Sequence, residues 1–460
     1  MCHVRVMPSF LRRPLLLGAL VLLAAAFAAS AANAVDTLSL TLEDAVRRGL
    51  ANNLAAVSSR EAVRRAEGAH ALARSSQMPS LSAGVSGSRQ VIDLEAYGFE
   101  PPPSGPLVGP FNVFDARIYL SQSLLDLQAN GLRQAAAFGV EAARSGAAAT
   151  REAVVTSCAG LYLRAAADAK RIEAVREQVG VAESLQERAT RLKDSGVVPG
   201  IEVVRAKVQL ESQRQRLIVA ENDLARDKLA LARAIGLPLE QSIELAQGLV
   251  YKPVQALAVD AALRDAYDAR PDLKQAASDL AAAEATRAAD RNERVPALRL
   301  NADFGKIGSS SSSLETTYFV GLGLRFPLFE GGRIGALVKQ DDAELTRRQA
   351  VLADLKAGVE LDVRSAILDL TSAGERVGVA DGALELAREQ LGESQDRFVA
   401  GVSGNLEVVQ AQDALAKASD DYLAALYAHN LARLALARAC GAAERALSTF
   451  LTLEGDPSHG

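Results

Sequence analysis

Two carboxylates draw attention first. Glu202 and Glu407 hold the same place in the stretches "GVVPGIEVVRA" (196–206) and "GVSGNLEVVQA" (401–411), which lie 205 residues apart and share six of eleven positions. In each stretch a Gly is followed six residues later by the Glu, the pattern of a tight turn and then the first turn of a helix, where a carboxylate stabilises the positive helix end. That is the chemistry of a contact, not of turnover. The sequence contains no H-E-x-x-H, no G-x-x-x-x-G-K phosphate cradle and no nucleophile elbow. His429 falls on an apolar helical stripe, a setting that favours a packed histidine over a metal ligand. No enzyme, metal site or cofactor is expected.

The elements that carry these glutamates follow from composition and periodicity. The chain has 460 residues, 49% of them hydrophobic, 23% charged and no Trp, enough to bury one or several cores. Arg5, Arg12 and Arg13 precede the run "PLLLGALVLLAAAFAAS", and "ANA" at 32–34 offers a small-x-small cleavage site. Residues 1–34 therefore read as a signal peptide, since the apolar run falls short of the roughly 20 residues of a membrane anchor. Removing those three Arg from 51 basic side chains leaves 48 against 56 acidic, a balance of −8 that argues against nucleic acid as a partner. Cys2 would leave with the signal, and Cys158 and Cys440 alone make no disulfide framework. No later apolar run has membrane-helix length, so insertion by the mature chain has to use strands.

The duplication extends well beyond the turns. After the first, Val203, Ala206, Leu210, Gln213, Leu217, Ala220, Leu224, Asp227, Leu231 and Ala234 recur at steps of three and four, and adding 205 gives a second seam from Val408 to Ala439. Both are heptad seams. They end alike, in "ARAIG" and "ARACG", with Gly236 and Gly441 where a left-handed C-cap is expected. Ahead of each turn lies a Pro-free helical pattern of 69 residues, 127–195 and 332–400, a rod of roughly 100 Å at 1.5 Å per residue. A shorter helix opens each half and ends near Pro79 or Pro296.

After both prolines the period changes to two. Leu81, Ala83 and Val85 alternate with polar or small residues, as do Leu298, Leu300, Ala302 and Phe304, and each run has a partner at 114–121 or 318–325. These read as strands with one apolar face. The domain organisation is thus a signal peptide at 1–34, a first repeat at 35–236 with a hairpin at 80–124 and a tip turn at 195–200, and a linker at 237–258. A second repeat follows at 259–441, with a hairpin at 297–327 and a tip turn at 400–405, and then a tail at 442–460. Four strands cannot close a barrel, and open edges in hydrocarbon cost several kcal/mol per unpaired group. Closure has to come from copies, and three copies give twelve strands with room for a lumen.

The duplicated tip "G-x-x-x-x-[IL]-E-V-V", the two hairpins and the switch "FPLFEGG" at 326–332 together resemble the TolC-like outer-membrane efflux protein family over essentially the whole mature chain. The resemblance implies a mainly α fold with a membrane β-barrel: long helical hairpins in two tandem repeats, closed by trimerisation into a 12-stranded barrel. It implies a homotrimer in the outer membrane of a Gram-negative bacterium, reaching through the periplasm as a passive conduit. Its partners would be outer-membrane lipid, a periplasmic adaptor protein and, through the adaptor, an inner-membrane pump. Residues 237–258 and the tail would form a collar. By the same resemblance Glu407 lies at a periplasmic gate with Glu202, and the chain departs from the best-known pattern at Gln410, where a second acid is expected, and at Ser403, where a basic residue is. Gly196, Val197, Gly401 and Val402 would meet the adaptor. A passive trimeric porin and a periplasmic coiled-coil scaffold stand as alternative readings.

Overall fold

The computed structural model describes residues 37–253, 258–310 and 312–445. The expected signal peptide lies outside them, as do residues 446–460 of the expected tail and 254–257 of the linker. Strand β1 (Leu38–Leu40) leads into helices α1 (Leu42–Asn52) and α2 (Leu54–Ser75), strands β2 (Ser80–Asp93) and β3 (Leu107–Leu125), and helices α3 (Leu127–Asp194) and α4 (Gly200–Ile235). The second half follows with β4 (Ile243–Leu245), α5 (Val259–Ala269), α6 (Pro271–Asn292), β5 (Ala297–Gly308), β6 (Glu315–Arg325), α7 (Arg333–Val399) and α8 (Asn405–Ala439). At 68 residues, α3 is about 100 Å long. The class is the expected one, mainly helical with four long strands.

The short opening helix of each half differs from the sequence reading, which runs it as one piece. Asn53 breaks the first with extended backbone, closing α1 and capping α2 through the Ala55 N–H at 2.9 Å. Its amide also donates to the Ala234 carbonyl at 2.9 Å, so the break meets the end of α4. In the second half Arg270 is extended because Pro271 follows it, and its guanidinium reaches Asp272 at 2.6 Å and Asp362 at 2.8 Å. The first run is thus broken at a side chain that caps the new helix, and the second at a proline.

The four long strands form one antiparallel sheet in the order β2-β3-β5-β6. Its register places Leu81, Val85, Phe114, Ile118, Phe304, Tyr318, Val320, Leu322 and Leu324 on one face, and all of them are exposed. An apolar surface of that extent has to meet something other than water. The opposite face is mostly polar, although Tyr119 and Phe319 also stand on it. There Arg117 bridges Asp115 at 2.7 Å and Asp303 at 2.6 Å, and Ser121 donates to Asn301 at 3.0 Å. Gly305 sits opposite Arg117, where a Cβ would come within 2.1 Å of the arginine Cβ. Among the described residues, strands β2 and β6 each have an outer edge with no paired strand.

Three apolar clusters hold the helices. The first gathers α1, α3 and α4 with the parallel ribbon β1–β4 around Tyr162, whose hydroxyl donates to the Leu40 carbonyl and accepts from the Gln247 N–H, both at 3.1 Å. Part of the linker is thereby fastened to the middle of α3. The second cluster joins α5, α6, α7 and α8 around Val359 and Val363, and the third lies by the tips around Leu185, Leu391, Phe398 and Val408. Nearer the sheet α3 runs against α6 at Gly131, where a Cβ would meet Ala289 at 2.7 Å, so only glycine allows that approach. Among the described residues no helix is long and apolar enough to cross a membrane.

Candidate functional site

The two tip turns are built by the same backbone bonds. Gly196 adopts φ +74 and Gly401 φ +70, the left-handed region in which any Cβ is strained. The Val197 N–H returns to the Leu192 carbonyl at 2.8 Å and the Gly196 N–H to Lys193 at 2.9 Å; Val402 returns to Arg397 at 3.0 Å and Gly401 to Phe398 at 3.1 Å. These are paired Schellman closures. No atom would crowd a Cβ at either glycine, so the torsion alone selects the residue. The closures leave Val197 and Val402 pointing out, both largely exposed.

The glutamates that match in sequence do not match in space. Glu202 is buried, 8% exposed, and one of its carboxylate oxygens accepts from Arg205 at 2.8 Å. Asn405, wholly buried, donates its amide to the Glu202 backbone carbonyl at 3.3 Å and so ties one tip to the other. Glu407 is exposed and faces Arg397 at 3.7 Å. Gln410 is exposed, whereas the Ser403 hydroxyl is enclosed with no protein partner among the described residues. The gate candidates therefore divide: Glu407 and Gln410 line the outside of α8, while Glu202 and Ser403 are inside the tip.

Two differences between the repeats account for this split. Where the first tip has Gly200 the second has Asn405, whose side chain crosses between tips; where the first has Arg205 the second has Gln410. Arg205 is three residues after Glu202 and holds it. Gln410 offers no charge to Glu407, which turns to Arg397 instead. Asn405, Arg205 and Arg397 were not singled out from the sequence, although Asn405 and Arg205 stand at positions where the two repeats disagree.

Further along the rods, polar pairs join the two hairpins. Gln209 donates to Asp413 at 3.0 Å and Arg171 reaches Asp420 at 3.0 Å. His429 is buried, its Nε2 3.0 Å from the Lys252 carbonyl and its ring 4.9 Å from Tyr251. Burial holds its pKa below the ordinary histidine value. Cys158 and Cys440 are both free and lie in different clusters, Cys158 against Gly49 on α1 and Cys440 beside the Val359 group.

Near mid-rod, Asp168 on α3 lies within hydrogen-bonding reach of Asp227 on α4, whose carboxylate takes Arg164 at 2.8 Å. Burial, then the hydrogen bond to the second carboxylate and its negative charge, push Asp168 up to about 7. The folded chain thus keeps a proton that the unfolded chain releases near pH 4. The stability this contributes is complete below that pH and is lost as pH rises through about 7. Melting followed from pH 4 to pH 8 should show this decline, and Asp168→Asn should flatten it by about 1–2 kcal/mol, a figure reduced because Asp168 is only partly buried. An unchanged slope in the variant rules out Asp168 as its source.

A family model described as "Outer membrane efflux protein" matches residues 45–237 and 262–442, one segment for each repeat. Protein CyaE of Bordetella pertussis is 28% identical over 397 residues, covering 84% of this chain and 80% of that protein. The pyoverdine export outer membrane protein OpmQ of Pseudomonas putida is 24% identical over 403 residues, covering 86% and 84%. Among solved structures, the Campylobacter jejuni CmeC outer membrane channel superposes with a TM-score of 0.78 at 16% identity and covers 90% of each chain.

Proposed function

The chain belongs to the outer membrane efflux protein family, and from that premise we propose that it works as a passive conduit, assembled from three copies, whose periplasmic end is gated and gripped at the tips. Its place is the outer membrane, as a channel for export. The observation that carries the finer reading is the sheet: four strands with one continuous exposed apolar face and two free edges, joined to helices about 100 Å long. Three copies supply twelve strands and remove every edge.

The polar face, with Arg117, Asp115 and Asp303, then lines the lumen, and the apolar face meets lipid. No energy-coupling chemistry is needed in the chain. The exposed Val197 and Val402 at paired turns present two similar surfaces to a periplasmic adaptor, which links the conduit to an inner-membrane pump. Glu407 from three copies would gather carboxylates where the hairpins converge. A plain porin has no use for such rods, and a soluble scaffold has none for an apolar sheet face.

The hairpin loops lie at the end of the sheet away from the rods, so an epitope inserted at Pro102 should be reached by antibody on intact cells. The protein should fractionate with outer membranes and conduct ions in planar bilayers. Recovery in the soluble periplasm, or an epitope reached only after the outer membrane is permeabilised, overturns the reading.

A further inference from the structure

Between the two hairpins, inward of the tip cluster, lies a cavity of about 240 Å³ walled by α3, α4, α7 and α8. Gln178, Gln213, Gln412 and Ser419 line it, with Glu177 and Arg388 also in the wall. Gln213 is 1% exposed and Gln412 5%, yet neither nitrogen nor oxygen of either amide has a hydrogen-bond partner among the described protein groups, and the Gln178 carbonyl oxygen is likewise enclosed and unpartnered. A second cavity of about 550 Å³ shares Ala174, Gln178 and Ser419 with the first and continues toward Arg171 and Asp420.

Gln213 stands at a heptad-seam position where an apolar residue would pack dry, and Gln412 comes from the opposite hairpin. Buried amides without partners are strongly disfavoured, so the cavity has to supply both donors and acceptors. The wall carries one acid and one base, which balance, so it selects no ion. At about 30 Å³ per molecule the space admits several waters. We propose that this seam is a wet joint: a cluster of waters bridging Gln178, Gln213 and Gln412 lets the α7–α8 hairpin move against the α3–α4 hairpin.

The physical reason is the contrast along the seam. The tip cluster around Leu185, Leu391 and Phe398 is apolar, and parting it exposes hydrocarbon. Water bridges exchange partners at little cost as the amides move apart. The tip contact then sets whether the hairpins are together, and the wet joint sets how freely they separate. The occupancy of the cavity stands independently of the channel reading; only the motion rests on it.

The test has two arms. A high-resolution cryo-electron microscopy map of the assembled wild-type protein should show discrete density for waters within hydrogen-bonding distance of the Gln213 and Gln412 amides. A direct amide-to-amide contact with nothing between, or density for a larger solute, overturns the wet joint whether or not the protein conducts. Gln213→Leu with Gln412→Leu should dry the seam, raise the melting temperature by several degrees and cut the opening frequency in bilayers about tenfold. The Gln213→Asn, Gln412→Asn pair should retain opening, and it serves if the leucine pair fails to assemble. Opening unchanged by the leucine pair, or abolished by the asparagine pair, overturns the proposed motion.

Discussion

Proline placed at either Phe319 or Val320 of β6 abolishes the assembled trimer, while alanine at the same positions leaves it largely intact: this is the expected result if the outer edge of the sheet is paired with another copy. Successive N–H groups of a strand point to opposite sides, so of these two neighbours one donates toward β5 and the other toward the free edge. In a lone sheet proline is harmful at the inward position and tolerated at the outward one. In a closed barrel both positions lose a ladder bond. Inside hydrocarbon no water replaces it, at several kcal/mol per orphaned group, repeated in every copy. Unheated gel mobility and native mass of the detergent-solubilised protein read the outcome. A trimer that survives one proline and not the other shows an open edge and sinks the twelve-strand closure.

The second large effect concerns the tips, where the structure splits what the repeats present as a pair. Because Glu407 is exposed and only 3.7 Å from Arg397, Glu407→Gln should cost well under 1 kcal/mol of stability and yet lower cation preference in bilayer recordings, if, as proposed, three copies bring their carboxylates together at a narrow entrance. Glu202 is enclosed and held by Arg205, with Asn405 joined to its backbone. Arg205→Gln, or Asn405→Ala, should therefore leave buried acceptors short of donors, at about 1–3 kcal/mol each. The tips should part more readily, seen as a lower melting temperature and a larger resting conductance. If Glu407→Gln leaves selectivity unchanged, that residue only stabilises its helix end. If Arg205→Gln and Asn405→Ala leave resting conductance unchanged, the crossing between tips does not hold the end shut.

The long elements and their kinds were legible because each rests on local rules. A helix that runs into a Gly able to take positive φ can end there on local grounds alone, as at Gly196, Gly236, Gly401 and Gly441. The heptad seams and the period-two strands need only near neighbours to declare themselves. The breaks at Asn53 and Arg270 were less visible. Arg270 precedes a proline, a signal that the helical periodicity on either side outweighed, and Asn53 joins its local cap on Ala55 to a contact with the Ala234 carbonyl, 181 residues away in the chain, which no local pattern announces.

By itself, then, the sequence determined two repeated sets of rods, turns and amphipathic strands, and through the unclosed edges the need for further copies. Tertiary structure decided which neighbour each repeated residue meets. Glu202 and Glu407 lie in closely similar local sequence and have opposite surroundings: Arg205, one turn along the same helix, is a local difference between the repeats, whereas the Asn405 contact to the Glu202 carbonyl crosses the fold. The sheet order that sets β3 beside β5, and the glutamines enclosed between hairpins, likewise depend on packing between distant segments. A side chain's burial is a property of what packs over it, and no short window of sequence contains that partner.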